Sequence, residues 1–166
     1  MKTLTNLFAA MMMCICCATT TTSCSDDNDE PVIPAAANVA GTYNGNMTCS
    51  VMGQESTFDD VTFIIENTDE ATVNISVSAF GEPPMLVPGL KITGVMVSGA
   101  DGAYTLAETE FTGTTNTGKT YSGILQGTFA DNTLSVRINL KYGAMPMPMI
   151  LSFSAQKKLT RHVKKS

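Results

Sequence analysis

The segment from Gly113 to Thr120 carries the most familiar chemical pattern in the sequence. It reads Gly-Thr-Thr-Asn-Thr-Gly-Lys-Thr and matches the phosphate-binding loop pattern G-x-x-x-x-G-K-[ST] at every defined position. That loop works because backbone N–H groups and the N-terminus of a following helix point at phosphates. Residues 121–129, which follow here, are strand-like and contain two glycines that weaken helices. We therefore predict a hairpin turn at this segment and no nucleotide partner.

Two carboxylates, Glu108 and Glu110, lie two residues apart and so share one face of a predicted strand. Their Cα atoms would be roughly 6.5–7 Å apart, close to the carboxylate gap of an inverting glycosidase. Charged side chains are mostly exposed, so we interpret the pair as a solvated strand end. The single histidine, His162, lies in a lysine-rich C-terminal tail and is a poor candidate for a general base. We therefore predict that the chain is not an enzyme.

Sulfur side chains are the third chemical signal, because three methionines alternate with proline over residues 145–149. Thioethers are soft ligands that suit Cu(I), and Met47 with Cys49 forms another sulfur pair at two-residue spacing. Methionine also fills irregular core space and adapts to apolar ligands, and no histidine or acidic cluster accompanies these sulfur atoms. We therefore expect packing roles, no metal site and no cofactor. Cys49 has no activating partner in the sequence, so we interpret it as a small buried hydrophobe.

The 166 residues are 43% hydrophobic and 15% charged, which indicates one globular domain with a packed core. Ten Lys and Arg against 15 Asp and Glu give a net charge of −5, so the basic surface that nucleic acid requires is missing. Four of the five cysteines lie within the first 24 residues, which excludes a disulfide framework. We predict no nucleic-acid partner, and the composition leaves the oligomeric state open.

Residues 1–23 are predicted to be an export signal. They combine a positive start at Lys2, an apolar run over 4–18 that is too short to span a bilayer, and a stretch of small polar residues. Thr22 and Ser23 before Cys24 resemble the lipobox of bacterial lipoproteins, in which the cysteine becomes the first residue and carries an acyl chain. The resemblance implies that Cys24 attaches the chain to membrane lipid.

Residues 24–38 are predicted to be a tether, because they are first acidic and then rich in proline and alanine, without periodicity. A cysteine followed by serine and acidic residues resembles the surface-export signal of Bacteroidetes lipoproteins. That signal would be carried here by Ser25, Asp26, Asp27, Asp29 and Glu30. The resemblance implies anchoring in the outer membrane with exposure on the cell surface. The segment does not predict a calcium loop, since Pro31 stands where such a loop needs glycine.

Residues 39–157 are predicted to form an all-β domain, with a basic tail over 158–166. Apolar and polar residues alternate, turn residues recur at nearly regular intervals, and no sustained helical period is present. The eight predicted strands are 41–52, 57–66, 72–80, 89–97, 103–111, 120–129, 133–142 and 149–156. Short connections favour antiparallel neighbours, and strands with one apolar face must close on themselves or form a sandwich. The sequential hairpins favour an eight-stranded antiparallel up-and-down barrel.

Alternation also predicts which side chains face the inside of this barrel. The interior candidates, which could also contact a ligand, are Met47, Cys49, Val136, Ile138, Met149, Leu151 and Phe153. An eight-stranded barrel can be filled by its own side chains or can hold one small ligand. A connected apolar cavity of roughly 300 Å³ or more would favour a ligand.

The first predicted strand opens with Gly-Thr-Tyr-Asn-Gly at residues 41–45, directly after the tether. This start resembles the calycin-like β-barrel lipoproteins of Bacteroides and relatives, and it is similar to the Gly-x-Trp start of lipocalins and avidins. The resemblance covers about residues 38–157 and implies that Tyr43 plugs one end of the barrel. We expect a small apolar or amphipathic ligand in the barrel mouth. The alternative is an adhesion or accessory component whose filled barrel contacts a protein or glycan.

Overall fold

The computed structural model describes residues 33–83 and 85–158. A short helix, α1 (Ala35–Val39), precedes eight strands. The strands are β1 (Gly41–Val51), β2 (Gln54–Asn67), β3 (Thr72–Val77), β4 (Leu90–Ala100), β5 (Ala103–Thr114), β6 (Thr120–Ala130), β7 (Thr133–Tyr142) and β8 (Met149–Gln156). The predicted export signal, Cys24, the acidic run over 25–30 and His162 lie outside the described residues. In the described part of the chain, no helix is long and apolar enough to cross a membrane.

Each strand pairs antiparallel with its neighbour in sequence, and β8 pairs with β1 to close a barrel. The closing pair runs from Met47 opposite Phe153 to Ser50 opposite Ile150. Because every connection joins adjacent strands, the chain needs no crossover. The predicted eight-stranded up-and-down barrel is confirmed.

The strand β7 shows why the sequence forms such a wall. Its side chains Leu134, Val136 and Ile138 are buried, whereas Ser135 and Arg137 are exposed. This is the period of two that a strand imposes when one face meets the core and the other meets water. The inward faces of the eight strands merge into one apolar cluster, and its removal from water is the main stabilising contribution to the fold.

Some hairpin turns are tighter than the sequence predicts, so the strands beside them are longer. The turn from β1 to β2 is Met52-Gly53 alone, with φ angles of 53° and 82°, and β2 begins at Gln54 rather than at residue 57. The turn from β4 to β5 is Asp101-Gly102, and β4 therefore reaches Ala100 rather than residue 97. In contrast, β3 ends at Val77 rather than at residue 80, and a longer connection leads to β4.

Residues 35–38, predicted to belong to the tether, form part of α1 instead and pack on the barrel. Ala36 and Val39 are fully buried, and the amide of Ala36 donates a hydrogen bond to the carbonyl of Glu70 at 3.2 Å. The helix has only five residues, which is too few to display a helical period in the sequence. The tether prediction is therefore corrected at its C-terminal end, which lies before Ala35.

A side chain closes part of the wall between β4 and β5. These strands pair only between residues 97–100 and 103–106. Beyond this region, Tyr121 on β6 crosses β5 at Gly113, where any Cβ atom would overlap the tyrosine ring. The Lys91 amide on β4 donates to the Tyr121 hydroxyl at 3.2 Å, and that hydroxyl donates to the Lys91 carbonyl at 3.2 Å. Tyr121 thus satisfies backbone groups that a neighbouring strand would otherwise satisfy.

The barrel has two different ends, which we call the mouth and the closed end. The connections at the mouth are residues 52–53, 78–89, 115–119 and 143–148. The elements at the closed end are α1, residues 68–71, 101–102 and 131–132, and Lys157 after β8. The described residues therefore place the only helix at one end and the longer connections at the other.

Candidate functional site

Tyr43 occupies the closed end. Its side chain is fully buried, and its hydroxyl donates a hydrogen bond of 2.5 Å to the carbonyl of Val39 at the end of α1. The Phe129 ring lies edge-on to the Tyr43 ring, with centroids 6.1 Å apart. Burial raises the pKa of the Tyr43 hydroxyl above its usual range, so the group stays a neutral donor. These contacts fit the plug role that the family resemblance implies for Tyr43.

Lys157 is a closed-end residue that sequence reasoning did not identify. Its Nζ atom donates to the carbonyl of Asn38 at 2.8 Å and lies 5.9 Å from the centre of the Phe129 ring. Partial burial lowers the pKa of this ammonium. The sequence could have indicated this role, because Lys157 directly follows the last strand. In a closed antiparallel barrel, the end of the last strand lies beside the start of β1.

Side chains fill the middle of the barrel. The rings of Phe63 and Phe153 stack there, with centroids 4.1 Å apart and planes 21° apart. The structure buries all seven predicted interior residues. Five of them, Met47, Val136, Ile138, Leu151 and Phe153, belong to the apolar core, and Val136 and Phe153 also reach an open groove of about 480 Å³ whose other lining residues include the exposed Gln126, Arg137 and Ser152. The remaining two, Cys49 and Met149, lie nearer the mouth and line a cavity.

The mouth contains a cavity of about 540 Å³. The residues that line it are Cys49, Val51, Met52, Gln54, Ser56, Phe58, Phe80, Met85 and Met149. Register places Ser56 opposite Cys49 and Gln54 opposite Val51, so both polar residues lie on the inward face of β2. The cavity therefore opens at the barrel mouth, with the exposed Gln54 and Ser56 at its rim, and is not a groove on the outer wall.

The cavity is apolar and uncharged. None of its nine lining residues is Asp, Glu, Lys, Arg or His, and Gln54 and Ser56 are the polar members on β2. Burial raises the pKa of the Cys49 thiol, which keeps that side chain protonated and neutral. Apolar walls with a few fixed hydrogen-bonding groups are typical of small-molecule sites.

The long connection from β3 to β4 supplies one wall of this cavity. Phe80 and Val87 exchange backbone hydrogen bonds of 3.0 and 2.9 Å, and this bridge holds the connection in place. The Phe80 ring lies 5.9 Å from the Phe58 ring of β2. The sequence does not predict Phe80 as a site residue, because alternation over the predicted strand 72–80 places it on the outward face, whereas β3 ends at Val77 and Phe80 belongs to the connection. Met85 lies between the predicted strands, where alternation predicts no facing.

Another cleft, of about 650 Å³, lies at the closed end. Its lining includes Asp101, Asp131 and Asn132, which are exposed, together with the edge of α1. Most of its lining residues are exposed, so the cleft is an open surface depression. The mouth cavity, with Cys49 and Met149 buried in its wall, is the better candidate for a ligand site.

The other chemical signals in the sequence do not assemble into a site. Residues 115–119 form a hairpin turn between β5 and β6, with the amide of Thr115 bonded to the carbonyl of Lys119 at 2.8 Å, so the predicted turn is confirmed. Glu108 and Glu110 are both exposed, and Met145 and Met147 do not line the mouth cavity. Within residues 33–83 and 85–158, no group of three or more His, Cys, Asp or Glu residues could hold a metal ion.

Comparison with known proteins supports this architecture. The chain is similar to a crystal structure of a candidate outer membrane protein from Bacteroides fragilis, with a TM-score of 0.68 and 23% sequence identity. The match covers 75% of this chain and 53% of the other, so the chain spans about half the length of that protein. No curated protein matches the chain.

The family model described as calycin-like beta-barrel domain matches residues 39–156, which include all eight strands. The chain therefore belongs to the calycin-like β-barrel domain family.

Proposed function

We propose that this chain is a lipid-anchored barrel of the outer membrane that binds one small apolar or amphipathic molecule in its mouth. The observation that carries the proposal is the inward-facing cavity of about 540 Å³. Ligand cavities start at roughly 300 Å³, so this one can hold a small molecule. Its aromatic and sulfur-containing walls would contact the apolar part, while Gln54 and Ser56 would hydrogen-bond a polar end. The proposal includes no catalytic step.

The anchoring part of the proposal rests on the sequence around Cys24. Small residues precede this cysteine, and an acidic run over 25–30 follows it, as in exported lipoproteins. The similar protein from Bacteroides fragilis, named as a candidate outer membrane protein, supports the same location.

The filled middle of the barrel supports the alternative function of an adhesion or accessory component. In that case the exposed apolar side chains at the mouth, Met52, Met85 and Met147, would contact a protein or glycan partner. The two functions differ in one measurable property, which is whether a small apolar molecule enters the mouth cavity.

Replacing Ser56 by tryptophan tests the cavity. Ser56 lines it from the inward face of β2, so an indole ring at this position would occupy the space a ligand needs. We expect an apolar fluorescent dye to bind the wild-type chain. The Ser56→Trp variant should lose at least about tenfold in dye affinity, equal to ~1.4 kcal/mol of binding free energy. Fluorescence titration measures both affinities.

Thr57→Trp is the matched control for this experiment. Thr57 lies opposite Thr48 on the outward face of the same strand and does not line the cavity. This variant should bind the dye as the wild type does. If neither the wild type nor the control binds any apolar dye, the barrel does not act as a binder and the adhesion function is favoured.

Replacing Cys24 by alanine tests the anchor. Cells fed a fatty-acid analogue should incorporate the label into the wild-type chain, because the Cys24 thiol is the proposed acylation site. The variant should carry no label and should leave the membrane fraction, as measured by gel fluorescence after fractionation. Equal labelling of both chains would contradict the anchor.

Replacing Asp26, Asp27, Asp29 and Glu30 together by alanine tests surface display. We expect the variant to stay acylated and membrane-bound but to be shielded from protease added to whole cells. Immunoblotting before and after digestion measures this accessibility. Unchanged digestion would mean that the acidic run acts only as a tether.

A further inference from the structure

Sulfur-containing side chains are concentrated around the mouth cavity. Cys49, Met52, Met85 and Met149 are four of its nine lining residues. They come from β1, the turn after it, the connection between β3 and β4, and the start of β8. Sequence spacing pairs Cys49 with Met47, but Met47 lies below the cavity and does not line it. The fold therefore creates a sulfur cluster that the sequence does not display.

Within this cluster, Cys49 and Met149 are the two buried members. Cys49 lies opposite Leu151 in the pairing of β1 with β8, and Met149 is the next inward-facing residue of β8 toward the mouth. Such diagonal neighbours have Cα atoms roughly 7–8 Å apart, a gap that the long methionine side chain can bridge. Cys49 is 6% exposed and Met149 is 4% exposed.

The other two sulfur side chains lie on the solvent side of this pair. Met52 is 77% exposed and Met85 is 48% exposed. An ion that enters the mouth would thus meet two thioethers before it reaches the buried thiol. The two exposed methionines thus provide an entry path from water to the two buried donors.

The chemistry of these donors selects one class of ion. Thiolate and thioether sulfur favour soft cations such as Cu(I), whereas carboxylate and carbonyl oxygen favour Mg²⁺, Ca²⁺ and Mn²⁺. None of the nine lining residues carries a carboxylate or an imidazole. We propose that the mouth cavity binds one Cu(I) ion through the thiolate of Cys49 and the thioether of Met149, with Met52 and Met85 as outer donors. This inference uses the cavity of the proposed function but needs no organic ligand.

Binding changes the protonation of Cys49 and no oxidation state. The S–H bond breaks, the proton passes to solvent, a Cu–S bond forms, and copper remains Cu(I). The thiolate then neutralises the cation, which suits the uncharged apolar walls.

The test uses the full chain with serine at Cys14, Cys16, Cys17 and Cys24, so that Cys49 is the only thiol. Anaerobic titration with Cu(I) against a competing chelator, and with Ag(I) as a redox-inert substitute, measures affinity and stoichiometry. We expect one ion per chain. Cys49→Ser should lower the affinity by about 100-fold or more and Met149→Leu by about tenfold, since changes outside the ligand shell alone cost roughly 10–100-fold.

Two methionine variants serve as matched controls. Met47→Leu changes an inward-facing residue two positions from Cys49, and Met96→Leu changes an exposed residue on β4. Neither lines the cavity, so both should bind Cu(I) as the parent does. Thermal melting by circular dichroism confirms that each variant is folded.

Three results would overturn the metal site: no 1:1 complex in the parent chain, unchanged affinity in folded Cys49→Ser, or equal losses in Met47→Leu and Met149→Leu. The dye titration separates this inference from the proposed function. Dye binding without Cu(I) binding overturns the metal site alone, and Cu(I) binding without dye binding overturns the organic ligand alone.

Discussion

Replacing Phe153 by alanine should lower the free energy of unfolding by about 3–5 kcal/mol. The Phe153 side chain is 3% exposed and stacks on Phe63 at a centroid distance of 4.1 Å. Truncation removes the transfer free energy of the ring and leaves a cavity, because β1 and β7 hold the surrounding wall in place on both sides. Urea denaturation followed by circular dichroism measures the change.

Ser152→Ala is the matched control for Phe153, since Ser152 lies next to it on the outward, exposed face of β8. This variant should stay within about 0.5 kcal/mol of the wild type. A loss of only about 1–2 kcal/mol for Phe153→Ala would indicate that the ring lines hollow space, because partial burial reduces the transfer contribution. That result would contradict the filled middle of the barrel.

The barrel interior could be predicted from the sequence because a strand has a fixed period of two. In β7 and β8, Val136, Ile138, Met149, Leu151 and Phe153 all lie on the side that alternation predicts. Antiparallel order and closure follow from tight hairpins between strands that each have one apolar face. These are local properties, and they survive small errors in strand boundaries.

Most of the cavity wall could not be predicted, because it depends on where strands begin and on how a connection folds. The sequence places Gln54 and Ser56 between the predicted strands 41–52 and 57–66, because Gly53 is a strong turn signal and the positive φ of Met52 is not expected for a methionine. Phe80 and Met85 reach the cavity from a connection fixed by tertiary contacts with β2. For the same reason, the sequence alone could not decide between a filled and a hollow barrel.

The two ends of the barrel have different roles, one in stability and the other in binding. At the closed end, Tyr43, α1 and Lys157 satisfy one another through hydrogen bonds and ring contacts. At the mouth, the cavity leaves apolar atoms without protein neighbours, which costs stability and can be offset by a bound molecule. We therefore expect substitutions at the closed end to affect folding and substitutions at the mouth to affect binding.

Tyr43 gives the sharpest test of this division. Tyr43→Ala should lower the free energy of unfolding by about 3–5 kcal/mol, because it empties a fully buried ring position and removes the contact with Phe129. Tyr43→Phe keeps the ring but removes the donor to the Val39 carbonyl. The buried carbonyl then loses its partner, at a cost of about 1–3 kcal/mol. Urea denaturation of both variants separates the ring contribution from the hydroxyl contribution.

Tyr104→Phe is the matched control, because Tyr104 also lies 6.1 Å from the Phe129 ring but is only partly buried. Its loss of stability should stay within about 0.5 kcal/mol. The affinity of folded Tyr43→Phe for an apolar dye should equal that of the wild type, since Tyr43 does not line the mouth cavity. Equal stability losses for Tyr43→Phe and Tyr104→Phe would show that the bond to α1 contributes nothing. A large change in dye affinity would show that the two ends are coupled.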